Sequence, residues 1–173
     1  MFAVPASAQL TQPHAGALAI AGEAGFFVPD KEFGIAPTIS GSAEFYLLGR
    51  VSVRGLVGWT SPDFELRSVD SLRQVWILGD VLYNWEGGAW HPFLVGGVGV
   101  HFLKTKVAGQ PAGRLQDDWR KKGGLNGGAG IEHFSRHDIT VKVEVLYQYV
   151  AHDAFEPNPS GLALKIGLKK YLW

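Results

Sequence analysis

The residues best suited to catalysis are His133 and Ser135, two positions apart, followed by the carboxylate of Glu144. A serine nucleophile needs a base that takes its proton and an acid that orients the base, and no other set of this kind lies close together in the chain. Such a set would support acyl transfer. The alternative hypothesis is that His133 ends a strand and Ser135 belongs to a turn, in which case the chain has no catalytic residue.

Other chemistries find little support in the sequence. The chain has no cysteine, which excludes disulfides, thiolate catalysis and cysteine-ligated metals. The other histidines have a carboxylate beside them only in the pairs His137-Asp138 and His152-Asp153, a spacing more typical of turns than of metal ligands. No glycine-rich phosphate loop opens a helix. We therefore expect no metal site and no cofactor.

Length and composition set the class of protein. With 173 residues the chain has room for one domain. Sixteen basic residues balance sixteen acidic ones, which argues against nucleic acid as a partner. Hydrophobic residues make up 46%, enough for a folded core, and 23 glycines with 12% aromatic residues favour a β architecture rich in turns.

Hydrophobic and polar residues alternate along most of the chain, and this period of two predicts strands. The clearest segment is Ile139–Tyr149, eleven residues of strict alternation. Strands this long could cross a bilayer, which takes about 9–11 residues when the strand is tilted. Eight strands are predicted in all: Ala17–Val28, Ile35–Leu47, Arg50–Trp59, Gln74–Trp85, Phe93–Leu103, Leu125–Phe134, Ile139–Tyr149 and Leu162–Trp173.

At the central alternate positions of these strands, one face carries no Asp, Glu, Lys or Arg, whereas the other carries five acids and four bases. The nine are Glu23, Glu44, Arg54, Asp80, Glu132, Lys142, Glu144, Lys165 and Lys169. If the charged face lies inside a narrow barrel, these groups must form pairs, because an unpaired buried charge is costly. The pattern predicts a polar plug that holds the barrel closed. The alternative is a proton path or a narrow ion channel.

The connections between the predicted strands alternate strictly between short and long, as in membrane barrels with short periplasmic turns and longer outer loops. Aromatic residues at the strand ends predict two interfacial girdles, and the charge-free face would then contact lipid. These residues are Tyr46, Trp59, Tyr83, Trp85, Trp90, Tyr149, Tyr171 and Trp173. The assignment of inward and outward residues stays open in two strands. In 93–103 the glycines fit either face, and in the last strand Trp173 falls on the charged face unless a bulge intervenes.

The first residues predict export. Ala6-Ser7-Ala8 has the form of a signal-peptidase site, so residues 1–8 are interpreted as the remnant of a signal peptide, and residues 9–173 as a single barrel domain. A disordered alanine-rich start is the alternative. The longest uncharged interior stretch, Gly87–Leu103, contains five glycines and a proline and cannot form a membrane helix.

From Ala17 to Trp173 the chain resembles the small eight-stranded outer-membrane β-barrels of Gram-negative bacteria, of the outer-membrane protein A and X type. The resemblance rests on the strand and loop rhythm, the segments Pro92–Val100 and Gly127–Glu132, and the terminal aromatic residue, which is usually Phe in these families. It implies an all-β fold, an eight-stranded antiparallel up-and-down transmembrane β-barrel in the bacterial outer membrane. It also implies a structural or surface-interaction role such as adhesion, without a large pore. The expected partners are membrane lipid, lipopolysaccharide and the outer-membrane assembly machinery, and the expected state is a monomer.

Two other functions remain as alternatives. A soluble lipocalin-like barrel that binds a ligand would show the same alternation with the apolar face inside, although the chain lacks a Gly-x-Trp motif near the first strand. The His-x-Ser pair with a later Glu is similar to the outer-membrane lipid A 3-O-deacylases. Two features depart from that family's pattern. One is the spacing to Glu144, and the other is Arg136, which stands where that family has Asn.

The longest predicted loop, Lys104–Lys122, holds the one basic patch, six bases against two acids. The bases are Lys104, Lys106, Arg114, Arg120, Lys121 and Lys122. An outward-facing loop would bring these cations beside lipopolysaccharide phosphates, which arginine and lysine bind well. The alternative is a solvated loop tip whose charges only keep it soluble.

Overall fold

The computed structural model describes residues 13–30, 34–62, 71–85, 88–106, 119–135, 138–152 and 158–172. The predicted signal remnant, residues 1–8, lies outside this part of the chain, as do Arg114 and Trp173. The described residues include no helix long and apolar enough to cross a membrane. They form eight strands: β1 (Leu18–Pro29), β2 (Ala36–Tyr46), β3 (Val51–Thr60), β4 (Ser71–Asn84), β5 (Trp90–Lys106), β6 (Arg120–Phe134), β7 (Ile139–Val150) and β8 (Gly161–Leu172).

The eight strands close into an antiparallel up-and-down barrel, in which each strand pairs with the next and β8 pairs with β1. Following the registers once around the barrel leads from Leu18 to Val28 of the same strand, a shear of ten residues. A stagger of this kind tilts the strands relative to the barrel axis, and eight strands enclose an interior just wide enough for side chains to fill. The predicted fold class is confirmed. The end with the short connections is the turn end, and the other is the loop end.

The outer surface of the barrel is apolar. Outward hydrophobic side chains on all eight strands are exposed, and Phe26, Val98 and Leu168 are among the most exposed at about 60% each. Trp85 and Trp90 are exposed at the turn end, and Trp59 and Tyr149 are exposed toward the loop end. A barrel that spans a membrane has this kind of surface: an apolar band between two girdles of aromatic residues, around a polar interior.

Two members of the predicted girdles lie inside the barrel instead. Tyr46 and Tyr171 are buried, and their ring centroids are 5.9 Å apart. The reason is the pleat: Tyr46 follows the outward Phe45, and Tyr171 precedes the outward Leu172, so both rings fall on the inner face. β8 pairs with β1 without a bulge from Gly161 to Leu172, which settles the open phase of that strand.

The hairpin of β5 and β6 extends further than the sequence pattern predicted. Lys104, Arg120 and Lys122 belong to strands, although we expected them in a loop. The pairing continues as far as Leu103 opposite Arg120, so the ladder hydrogen bonds outlast the apolar alternation on which the prediction relied. The ambiguous glycines of β5 also resolve, since Gly96 faces outward and Gly97 faces the interior.

Large side chains fill the interior, and inward glycines on neighbouring strands make room for them. The indole of Trp76 lies against Gly58, where a Cβ atom would overlap the ring, and the ring of Phe93 lies against Gly130 in the same way. Leu56, Leu78 and Leu146 pack with these rings in one buried cluster. The lumen is therefore packed with side chains along the described strands.

Candidate functional site

The barrel interior holds all nine of the charged residues singled out in the sequence, and each is at most 6% exposed. They separate into two groups along the barrel axis. The central charge cluster contains Glu23, Arg54, Asp80, Lys142, Glu144 and Lys165. The turn-end charge cluster contains Glu44, Glu132 and Lys169, together with Tyr46, Tyr171 and Ser52.

Arg54 connects opposite walls of the barrel in the central charge cluster. Its guanidinium binds Asp80 of the neighbouring strand, with Nη2 and Nε at 2.7 and 2.9 Å from Oδ2. Across the lumen it binds Glu144, with Nη1 at 2.5 Å from Oε2. Asn126 donates to the other oxygen of Asp80 at 2.7 Å. Arginine suits this position because its planar fork can donate to two carboxylates at once.

Two lysines complete the central charge cluster. The Nζ of Lys165 lies 2.9 Å from Glu144 and 2.6 Å from Glu23. Lys142 also pairs with Glu23 and lies 3.3 Å from Glu144. The four groups form a closed ring in which acids and bases alternate. With Arg54 and Asp80 added, the cluster has three acids and three bases and no net charge.

Lys169 is the centre of the turn-end charge cluster. Its ammonium group lies 2.7 Å from Glu44, 2.9 Å from Glu132 and 2.8 Å from the hydroxyl of Tyr46, so each of its three protons has an acceptor. Tyr171 donates to Glu132 at 3.0 Å. The hydroxyl of Tyr46, 3.1 Å from that of Tyr171, must then donate to it.

The excess acid of the interior lies in the turn-end charge cluster, where two carboxylates share one lysine. Additional donors stabilise them: Ser52 donates to Glu44 at 2.5 Å, and Tyr171 donates to Glu132. Hydrogen bonds to a buried carboxylate offset the loss of its hydration. Both clusters can therefore hold the strands together, and their carboxylates already accept hydrogen bonds from protein groups.

The structure does not assemble the candidate triad. Glu144 faces the interior and binds Arg54, whereas His133 lies on the outer face, where its ring centroid is 4.3 Å from that of Trp90. Ser135 is exposed at the turn end, and its hydroxyl donates to the carbonyl of Ile139 at 3.2 Å. The wall of the barrel therefore separates the acid from the histidine.

No metal centre is present in the part of the chain that the structure describes, since no three potential metal-ligating residues cluster there. His91 is buried and its Nε2 lies 2.9 Å from the carbonyl of Gly88, a turn glycine with a φ of 70°. His152 lies near the loop end, where its Nδ1 is 3.0 Å from the carbonyl of Val150. His137 and Asp153 lie outside the described residues.

Sequence reasoning missed a group of buried polar side chains near the loop end, which we call the loop-end layer: Gln74, Trp76, His101 and Gln148. All four are 0% exposed. The Nε2 of Gln74 lies 2.9 Å from Nδ1 of His101. Five side-chain atoms have no hydrogen-bond partner among the described residues: Gln74 Oε1, Trp76 Nε1, His101 Nε2, Gln148 Oε1 and Gln148 Nε2. The inward phase of the strands could have revealed these residues, but a search limited to charges passes over them.

The predicted basic patch divides between the two faces of the β5–β6 hairpin. Lys121 lies opposite the outward Phe102, whereas Lys122 lies opposite the inward His101. Alternation along the strands places Lys104 outward and Arg120 inward. Arg114 and the side chain of Lys106 are not among the parts that the structure describes.

Comparison with known proteins gives structural matches only: no protein-family model matches the chain, and no curated sequence does either. The solved structure of the outer membrane protein OprG from Pseudomonas aeruginosa superposes with a TM-score of 0.70 at 13% identity, covering 93% of this chain and 98% of that one. The chain has the fold of the small eight-stranded outer-membrane β-barrels.

Two further solved structures share this fold. Neisserial surface protein A (NspA) has a TM-score of 0.69 at 14% identity, covering 90% of this chain and 97% of that one. Ail, the attachment invasion locus protein of Yersinia pestis, in complex with the heparin analogue sucrose octasulfate, has a TM-score of 0.58 at 13% identity, covering 91% of this chain and 99% of that one. At these identities the shared feature is the outer-membrane barrel architecture.

Proposed function

We propose that this chain is an integral protein of the bacterial outer membrane with a structural and surface-interaction role and no catalytic activity. It would be delivered by the outer-membrane assembly machinery and function as a monomer, with its long connections outside the cell. The observation that carries the proposal is the distribution of polarity, an apolar outer band over a charged interior. A soluble lipocalin-like barrel would need the opposite distribution.

The interior supports a structural role over a pore. Arg54 and Glu144 bind each other across the lumen, and Trp76 and Phe93 fill the space on either side of the central charge cluster. Eight strands leave room for side chains, whereas an open aqueous channel takes about 16–18 strands. We expect no large stable conductance when the refolded protein is added to planar lipid bilayers.

The surface-interaction role rests on the basic residues at the loop end. Lys104 and Lys121 lie on the outward face of adjacent strands at the loop end, and Arg120 and Lys122 lie on the inward face. Positive charge on the outward face favours lipopolysaccharide, and positive charge on the inward face favours a soluble polyanion. The structural relative Ail was solved with a sulfated heparin analogue, which makes an anionic ligand a reasonable expectation for a barrel of this shape.

The proposal excludes a lipid A deacylase because of the geometry of the candidate triad. His133 and Glu144 lie on opposite faces of the sheet. One assay distinguishes a deacylase from a non-catalytic barrel: the refolded protein is incubated with lipopolysaccharide, and released fatty acid is measured. Acyl release that is lost in Ser135→Ala would contradict the proposal.

Membrane insertion is tested by refolding the chain into detergent and comparing the gel mobility of unboiled and boiled samples. A folded membrane barrel resists the gel detergent and migrates differently from the unfolded chain. We expect two bands that interconvert on boiling. A protein that stays folded and monomeric in buffer without detergent would contradict membrane insertion.

A further inference from the structure

The two faces of the β5–β6 hairpin carry matched pairs of cations at the loop end. The outward basic pair is Lys104 and Lys121, on the side of the hairpin that continues the apolar band. The inward basic pair is Arg120 and Lys122, on the side that continues the lumen. Each pair carries two positive charges on the same hairpin, but the surroundings of the two pairs differ.

The outward basic pair lies among aromatic residues of the outer surface. The Nζ of Lys104 is 5.9 Å from the ring centroid of Trp119, and the Nζ of Lys121 is 5.8 Å from that of Phe102. Trp119 is 46% exposed. An ammonium group beside an exposed ring at the end of an apolar band fits the membrane interface, where the ring contacts acyl chains and the cation contacts head groups.

The inward basic pair has different neighbours. Lys122 lies opposite His101, the buried histidine of the loop-end layer, and Arg120 lies opposite Leu103. Both positions are on the inner face of the hairpin. A lipid in the outer leaflet packs against the outer wall of a barrel, so this pair is separated from it by the β5–β6 sheet.

We propose that the outward basic pair is a binding site for the phosphate groups of outer-leaflet lipid, with lipid A as the occupant. Each ammonium group has three donors and can contact a ring and a phosphate oxygen together. Trp119 and Phe102 supply the apolar contact for the acyl chains of the same lipid. This inference rests on the proposed function and assigns its lipid contact to two lysines of the six basic residues.

The experiment measures lipid A binding to the refolded barrel in zwitterionic detergent micelles, by native mass spectrometry across a lipid A titration. The test variant is Lys104→Gln with Lys121→Gln, and the matched control is Arg120→Gln with Lys122→Gln. A basic residue near an anionic membrane surface contributes about a fivefold gain in binding, so we expect the test variant to bind lipid A about 25-fold more weakly. The control should stay within about twofold of the unmodified protein, and lysine-to-arginine replacement at both outward positions should retain binding.

Two further arms identify the source of the phosphate. Dephosphorylated lipid A should bind the unmodified protein as weakly as bisphosphorylated lipid A binds the test variant. Heparin serves as the soluble polyanion. We expect the test variant to lose no more heparin binding than the control variant. Equal losses of lipid A binding in the two double variants, or no loss in the test variant, would overturn the proposal. A heparin loss confined to the test variant would instead assign the site to a soluble polyanion.

Folding is checked separately for every variant by the gel-mobility shift on boiling. If the test variant does not refold, Lys121→Gln alone is measured, with an expected loss of about fivefold, and no loss would reject the site. Failure of the unmodified protein to show the mobility shift would contradict the proposed function. A test variant that keeps the gel-mobility shift and binds lipid A as tightly as the unmodified protein would contradict this inference alone.

Discussion

The two charge clusters and the loop-end layer of the barrel interior are stabilised in different ways. In the charge clusters, every one of the nine buried charges has an oppositely charged partner within 4 Å. In the loop-end layer, four neutral polar side chains leave five atoms without a partner among the described residues. Shape dominates there, because Trp76 fits against Gly58 and Phe27 packs in the same apolar cluster.

The difference follows from the unequal cost of burying a charged group and a neutral polar group without a partner. A buried charge without a partner is too costly to keep, so charges are retained only in sets that neutralise one another. A neutral amide or indole with a missing hydrogen bond costs less, about 1–3 kcal/mol. Neutral amide and indole groups can therefore stay incompletely hydrogen-bonded in the loop-end layer, whereas each buried charge of the two charge clusters has an oppositely charged partner.

The largest expected effect comes from Arg54, because its loss leaves the buried carboxylate of Asp80 without its cation and gives the central charge cluster a net negative charge. We expect Arg54→Met to lower the free energy of unfolding by about 3–5 kcal/mol in urea titrations of the micelle-embedded barrel. Combining it with Asp80→Asn, which removes the unpaired carboxylate and leaves two acids against two bases, should recover part of the loss. If Arg54→Met alone is as stable as the unmodified protein, the central charge cluster does not stabilise the barrel.

Next in size is the contrast between two residues paired across β6 and β7, Asn126 and Gln148. Asn126 donates to the carboxylate of Asp80, and a hydrogen bond to a charged group contributes about 1.5–3 kcal/mol. We expect Asn126→Leu to lower the free energy of unfolding by that amount in the same titration. If Asn126→Leu and Gln148→Leu have equal effects, the distinction between the central charge cluster and the loop-end layer is wrong.

A change at Gly58 tests whether close packing stabilises the loop-end layer. A valine there would overlap the indole of Trp76, and overpacking of this kind costs about 1–3 kcal/mol. We expect Gly58→Val to destabilise the barrel and to change the tryptophan emission spectrum as Trp76 moves. Gly55→Val is the control, since Gly55 on the same strand has open space where its Cβ would lie, and its effect should stay below about 0.5 kcal/mol.

The smallest effect is expected for Gln148→Leu. Neither side-chain amide atom of Gln148 has a hydrogen-bond partner among the described residues, so a leucine of similar volume removes an unmet cost. We expect a free energy of unfolding within about 1 kcal/mol of the unmodified protein, and in the stabilising direction. A loss above 2 kcal/mol, measured by urea titration, would show that the amide is fully hydrogen-bonded in the membrane.

By itself the sequence determined the number of strands, their approximate bounds and the charged face, because alternation follows directly from the pleat of a strand. The segment Ile139–Tyr149 matches β7 to within one residue. It also determined that charges on the inner face would have to form pairs. The ends of β5 and β6 were predicted too short, since paired strands continue by backbone hydrogen bonds after the apolar alternation ends.

Only the tertiary structure decided which charges meet. Arg54 and Glu144 are ninety residues apart and bind across the lumen. A shear of two residues more or less would bring different inward side chains to the same height, and a local pattern carries no information about shear. The same holds for Tyr46 and Tyr171, expected at the surface and found inside, and for Lys104 and Lys122, grouped in the sequence and separated by the wall of the barrel. Periodicity fixes the face of each residue relative to its neighbours on one strand, whereas closure of the barrel decides what each face meets.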